Sequence, residues 1–195
     1  MPPVNILRPR DSVCPWWLVR TFDNPLRRLV QKPERILQEF VKPGNSCLDI
    51  GCGYGYFTIP LARLVGPSGF VTAVDLQREM LEGARRRAEK AHLVSRIYFH
   101  QADSTGLHIA GAFDFALAFW VLHEVANKEA MLAEICGALK VGGYFLLSEP
   151  RVHVAAPSFR RTVEQAEVCG FSRVSELRIF FSRSLVMEKA ELSAA

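Results

Sequence analysis

Three glycines at alternate positions, Gly51, Gly53 and Gly55, separate an apolar run, Ser46–Ile50, from a helical pattern over residues 56–65. Glycine reaches positive φ without strain and has no Cβ, so the backbone there turns sharply and a ligand can approach it closely. A strand, a glycine turn and a helix in that order define the first half of a βαβ unit. The rest of the chain repeats this alternation. Strands are expected at residues 70–74, 96–101, 113–120 and 144–148, with helices at 77–90, 127–139 and 157–168. A helix is also expected at 33–41, opened by Pro33 and ended by Lys42-Pro43-Gly44-Asn45. The strands are apolar throughout rather than alternating, which predicts a parallel sheet covered by helices on both faces. Two short strands, about 172–179 and 182–188, are too close for a crossover helix and should pair antiparallel at one side of the sheet.

The 195 residues suit one domain of ordinary size. Charged residues make up 23% and are dispersed, and the net charge of +4 falls short of a dedicated nucleic-acid-binding face. The five cysteines, Cys14, Cys47, Cys52, Cys136 and Cys169, form no C-x-x-C pair. Together with the lack of a signal-peptide pattern at Met1-Pro2-Pro3, they point to reduced thiols and a cytoplasmic location. No apolar run is long enough to span a bilayer, so membrane insertion is not expected. Residues 1–32, rich in proline, read as an N-terminal arm. Its Trp16, Trp17, Arg20 and Phe22 either form a lid over a substrate or pack the arm onto the domain of residues 33–195.

Asp75 closes the second strand about 20 residues after the glycine turn, where an acid can accept hydrogen bonds from ribose hydroxyls. A dinucleotide fingerprint would place its third glycine at position 56, which is Tyr. Asp49, two residues before Gly51, would set negative charge near a pyrophosphate. The same acid suits a ligand with a cationic amino-acid end. S-adenosylmethionine carries an ammonium, a sulfonium and a ribose, and no phosphate.

The segment Cys47-Leu48-Asp49-Ile50-Gly51-Cys52-Gly53-Tyr54-Gly55 resembles motif I of the class I S-adenosylmethionine-dependent methyltransferases. Val71-Thr72-Ala73-Val74-Asp75 resembles their acidic motif, and Gln101-Ala102-Asp103-Ser104 the segment that meets adenine. Residues 113–119 resemble the fourth-strand motif. Leu139-Lys140-Val141-Gly142-Gly143-Tyr144 is similar to the "L-K-P-G-G" element, with Val141 in place of the usual proline. The resemblance covers roughly residues 40–190 and is nearest to the small-molecule branch that includes ubiquinone/menaquinone-type, methyltransferase type 11-like enzymes. It implies a Rossmann-like α/β fold with a seven-stranded, mostly parallel sheet, one antiparallel strand and helices on both faces. It also implies S-adenosylmethionine as cofactor. Gly51, Gly53 and Gly55 would line its methionine part, Asp49 would lie near the amino end and Asp75 would hold the ribose. Leu76 would flank the adenine, Asp103 would bond the adenine amino group with Ser104 beside it, and Phe119 would sit near the cofactor.

Methyl transfer needs alignment and water exclusion, and a base only where a proton must leave. His123 and Glu124 after the fourth strand, and Glu149 and His153 after the fifth, lie where open α/β sheets bind ligands. They are candidate catalytic residues, or else helix caps and loop anchors. Convergence of His123, Glu149 and His153 on a metal is the weaker alternative, and no metal site is assigned. There is no Asn/Asp-Pro-Pro-Tyr/Phe segment after the fourth strand and no Pro-Cys pair there, so nucleic-acid and glutamine acceptors of those types are disfavoured. The expected acceptor is a small molecule. The rival readings are a nicotinamide-dependent oxidoreductase and a non-catalytic cofactor-binding module.

Overall fold

The structure is a computed structural model and describes residues 31–191. Residues 1–30 of the expected N-terminal arm, with Cys14, Trp16, Trp17, Arg20 and Phe22, lie outside the described residues.

The strands are β1 (Ser46–Ile50), β2 (Phe70–Asp75), β3 (Ile97–Gln101), β4 (Phe113–Phe119), β5 (Leu139–Pro150), β6 (Phe171–Glu176) and β7 (Ser182–Lys189). The helices are α1 (Pro33–Leu37), α2 (Thr58–Leu64), α3 (Arg78–Lys90), α4 (Lys128–Ala138) and α5 (Ala156–Val168). The strands form one sheet in the order β3-β2-β1-β4-β5-β7-β6. The pairs from β3 through β5 are parallel, and β7 runs antiparallel to both of its neighbours. The expected fold class is therefore the observed one.

Period-2 alternation along β4 explains the two layers. Phe115 and Leu117 point to the face covered by α1, α2 and α3, where they meet Leu37, Leu61 and Ala62. Ala116 and Ala118 point to the other face, where the larger Met131, Leu132 and Ile135 of α4 fill the space. Small residues on the strand thus match large ones on the helix. Phe115 is fully buried at the centre of the sheet. Phe115→Ala is expected to cost about 3–5 kcal/mol of unfolding free energy, read from urea titration of the two proteins.

Two elements differ most from the sequence expectation. Helix α1 ends at Leu37, and residues 38–40 form a turn. The Lys42-Pro43 step behind it disfavours helical backbone. Strand β5 begins at Leu139 rather than Tyr144, with Gly142 at φ +75° as a kink inside it and a register shift opposite Phe113 and Phe115. Asp114 holds this early start: its carboxylate takes the Lys140 ammonium at 2.5 Å and the Ser46 N–H at 2.8 Å. One side chain thereby ties the first residues of β1 and β5 to β4.

Candidate functional site

A cavity of about 500 Å³ opens at the carboxyl ends of β1, β2, β4 and β5. Its floor is the glycine turn. Gly51 sits at φ +67°, and a Cβ there would lie 2.6 Å from Cγ2 of Val121, a side chain that itself lines the cavity. Only glycine lets the turn after β1 pass beneath the segment after β4. Gly51→Ala is expected to cost about 2–3 kcal/mol through left-handed strain and this clash. A melting experiment should show the midpoint falling by roughly 5–10 °C.

Two acids flank the turn. Asp49 is buried beneath it and accepts the Thr58 hydroxyl at 2.5 Å, at the first turn of α2. Burial pushes its carboxyl up to about 7, with the Thr58 bond pulling it down and nearby Asp75 pushing it up. Asp75 accepts the Gly53 N–H on Oδ2 and the Gln77 N–H on Oδ1, both at 2.9 Å. Burial raises it to about 6 against the pull of those backbone bonds. Both acids line the cavity, as do Gly51, Gly53, Leu76 and Phe119. Gly55 stands behind the turn at φ +79°, with Ala84 of α3 3.3 Å from where its Cβ would be. Its role in the structure is to bring α3 close to the turn.

The segment after β3 is held by its own side-chain bonds. Ala102 and Leu107 line the cavity, while Asp103 and Ser104 are absent from its walls. Asp103 is exposed, and its Oδ1 takes the Thr105 N–H at 2.7 Å, the Thr105 hydroxyl at 2.5 Å and the His108 ring at 2.9 Å. These bonds, the Thr105 hydroxyl foremost, hold its carboxyl well below the usual range. The acid closes its own loop in an Asx-type turn instead of reaching inward. An acid one residue after an inward-facing alanine has this option, and sequence spacing alone does not decide it.

The opposite wall comes from the segments after β4 and β5. His123 lies in a short 3-10 turn, Leu122–Glu124, and its Nδ1 is 2.6 Å from Oε2 of Glu149. Glu149 is buried at 2% exposure at the end of β5, behind the cavity wall. Its other oxygen, Oε1, has no hydrogen-bond partner among the described residues. His153 stacks on His123 with ring centroids 5.6 Å apart and planes 8° apart. His123, Glu124 and His153 all line the cavity. The two imidazoles lie parallel instead of converging, and among the described residues no group of three His, Cys, Asp or Glu side chains is arranged to hold a metal ion.

Several lining residues were not singled out from the sequence. Trp120, with φ +61°, donates its backbone N–H to Ser148 at 2.7 Å and its indole N–H to Ser182 at 2.9 Å. Phe119 packs on Phe57 with centroids 4.4 Å apart. Val121, Val152 and Phe181 complete an apolar rim. A bulky residue at positive φ after a strand leaves no composition signal. Tyr54, within the glycine turn, and Tyr56, just after it, both line the cavity.

Among the described residues the cavity wall contains Asp49, Asp75 and Glu124 but no Lys or Arg. A pyrophosphate would find no counter-charge there. A ligand with a sulfonium and an ammonium would find Asp49 and Asp75, two acids whose carboxyls burial raises to about 7 and about 6. The residues present therefore fit S-adenosylmethionine and do not fit a dinucleotide.

The methyltransferase-domain family matches residues 41–183, most of the chain and every element of this site. The chain belongs to that family. This methyltransferase domain is 33% identical over 117 residues to a demethylmenaquinone methyltransferase of Symbiobacterium thermophilum, covering 60% of the chain and 47% of that protein. It is also 33% identical over 110 residues to a ubiquinone/menaquinone biosynthesis C-methyltransferase of Pasteurella multocida, covering 56% of the chain and 41% of that protein. The match thus spans less than half the length of either relative. In fold it is similar to a SAM-dependent methyltransferase of Aquifex aeolicus, with a TM-score of 0.82, 21% identity, and 91% of this chain and 100% of that chain covered. S-adenosylmethionine is the cofactor that goes with this domain, and among the described residues no helix is long and apolar enough to cross a membrane.

Proposed function

We propose that this domain transfers a methyl group from S-adenosylmethionine to a small-molecule acceptor. The observation that carries the reading is one cavity with two cation-seeking acids under a glycine turn at one end and an apolar, histidine-bearing wall at the other. Gly51 and Gly53 line the methionine part, with Gly55 holding α3 behind them. Asp49 meets the ammonium and Asp75 the ribose hydroxyls. Leu76, with Ala102 and Leu107, flanks the adenine, while Asp103 and Ser104 support that loop from outside. Phe119 borders the reacting centre.

When bound, S-adenosylmethionine supplies a methyl carbon already attached to a good leaving group. The domain's share of the work is alignment and the exclusion of water. Phe119, Trp120 and Val121 supply a rigid, dry wall. The cavity volume falls within the range usual for small-ligand pockets. The relatives named for menaquinone and ubiquinone methylation support a small acceptor. The free thiols Cys47, Cys52, Cys136 and Cys169 support work in a reducing, cytoplasmic compartment.

Calorimetry with S-adenosylmethionine and S-adenosylhomocysteine tests the reading. Saturable binding of both, without enhancement of NADH fluorescence, is expected. Absence of heat with both ligands, or NADH binding in the same cavity, would overturn it.

A further inference from the structure

The parallel register of β4 and β5 pairs Phe119 with Ser148, so the turn after β4 comes down beside Glu149. The 2.6 Å contact between His123 Nδ1 and Glu149 Oε2 follows from that register. We assign the Nδ1 proton to the short bond with Glu149 Oε2, which leaves the free lone pair on Nε2. Nε2 lies 3.9 Å from Oε1 of Glu124, and both residues line the cavity. The His153 ring lies parallel to the imidazole, with centroids 5.6 Å apart. The result is a base on the cavity wall, held in one tautomer by a carboxylate with no other partner among the described residues.

Such a base has use only for some acceptors. A thiol ionises close to neutrality unaided, and an amine attacks as its free base and loses its proton afterwards. A hydroxyl oxygen is a poor nucleophile until its proton leaves. The absence of Lys and Arg from the described cavity wall disfavours phosphorylated or carboxylated acceptors, and the apolar rim of Val152 and Phe181, 76% and 59% exposed, favours an apolar body. We propose that His123, held by Glu149, takes the proton from a hydroxyl of an apolar, uncharged acceptor. His123 is then a catalytic residue and Glu149 a positioning residue. The inference rests on the methyl-transfer reading above. In the step, His123 Nε2 gains the hydroxyl proton, and the oxygen lone pair forms the new bond to the methyl carbon. The carbon–sulfur bonding pair stays on sulfur, and the imidazolium returns its proton to water.

The test uses 4-nitrophenol as the hydroxyl probe, with S-adenosylhomocysteine bound so that no turnover occurs. In the wild-type protein the bound phenol is expected to ionise about one pH unit below its value in free solution, a tenfold change read from phenolate absorbance. His123→Asn should abolish that shift. Glu149→Gln, which keeps the shape and one accepting oxygen, should reduce it while melting within a few degrees of wild type. Equal ionisation of the bound phenol in wild type and His123→Asn overturns the role of His123. Failure of the phenol to bind while S-adenosylhomocysteine binds overturns the hydroxyl acceptor. Failure of S-adenosylhomocysteine itself to bind overturns the methyl-transfer reading beneath both.

Discussion

Asp75→Ala is expected to weaken S-adenosylmethionine binding by at least about a hundredfold, measured by calorimetry. The carboxylate has roughly four lone-pair sites. Two accept the Gly53 and Gln77 N–H groups at 2.9 Å, and the Leu76 N–H bears on the same carboxylate. The ribose hydroxyls would share the remaining capacity with the Leu76 N–H. Hydrogen bonds to a charged group contribute about 1.5–3 kcal/mol each, so losing two corresponds to at least about 3 kcal/mol, or a hundredfold and more. Alanine also unties the glycine turn from the end of β2, which adds to the loss. Asp75→Asn separates the two effects. It keeps an accepting oxygen for one backbone N–H but lacks the charge, and its affinity should fall between wild type and alanine. If the alanine variant binds within threefold of wild type, Asp75 does not hold the ribose.

What the sequence discloses and what it hides divide along a physical line. Strand β1 is found at its expected bounds because a fully buried parallel strand shows itself as a continuous apolar run closed by glycine. The turn glycines and Asp75 were legible because their backbone requirements restrict the residue type. The early start of β5 was not, since it depends on Asp114 meeting Lys140 across the sheet. His123 and Glu149 could be named separately as strand-end residues, but not as a bonded pair: 26 positions separate them, and only the β4–β5 register closes the gap. Asp103 marks the opposite limit. Its position fits an adenine contact, and its bonds to Thr105 and His108 all fall on Oδ1. A local arrangement of this kind is decided by loop geometry, which residue spacing does not carry.

Affinity for S-adenosylmethionine should fall several hundredfold between pH 7 and pH 5. Asp49 stands at about 7 and Asp75 at about 6 in the free protein, both raised mainly by burial. The cationic ligand binds the ionised acids, so it must expel whatever protons they hold. Linkage then gives about fiftyfold from Asp49 and about tenfold from Asp75 over that interval. The ligand's ammonium stays charged throughout, because an α-amino group titrates near 7.7 or above. Calorimetry near pH 6, repeated in buffers of different ionisation heat, should report release of roughly one and a half protons on binding. Stability of the free protein runs in the opposite sense. Both acids hold their protons more tightly folded than unfolded, so their contribution is fully present below about pH 4 and is lost as pH rises through 6 to 7. The rise in melting temperature produced by the ligand should therefore grow with pH over the same window. Asp49→Asn can still accept the Thr58 hydroxyl but has no proton to lose. It should bind more weakly at pH 7 and keep only the smaller dependence that Asp75 supplies. A flat affinity from pH 5 to pH 7 in the wild-type domain would mean that Asp49 stays protonated beneath the bound ligand, and the ammonium would then need another partner.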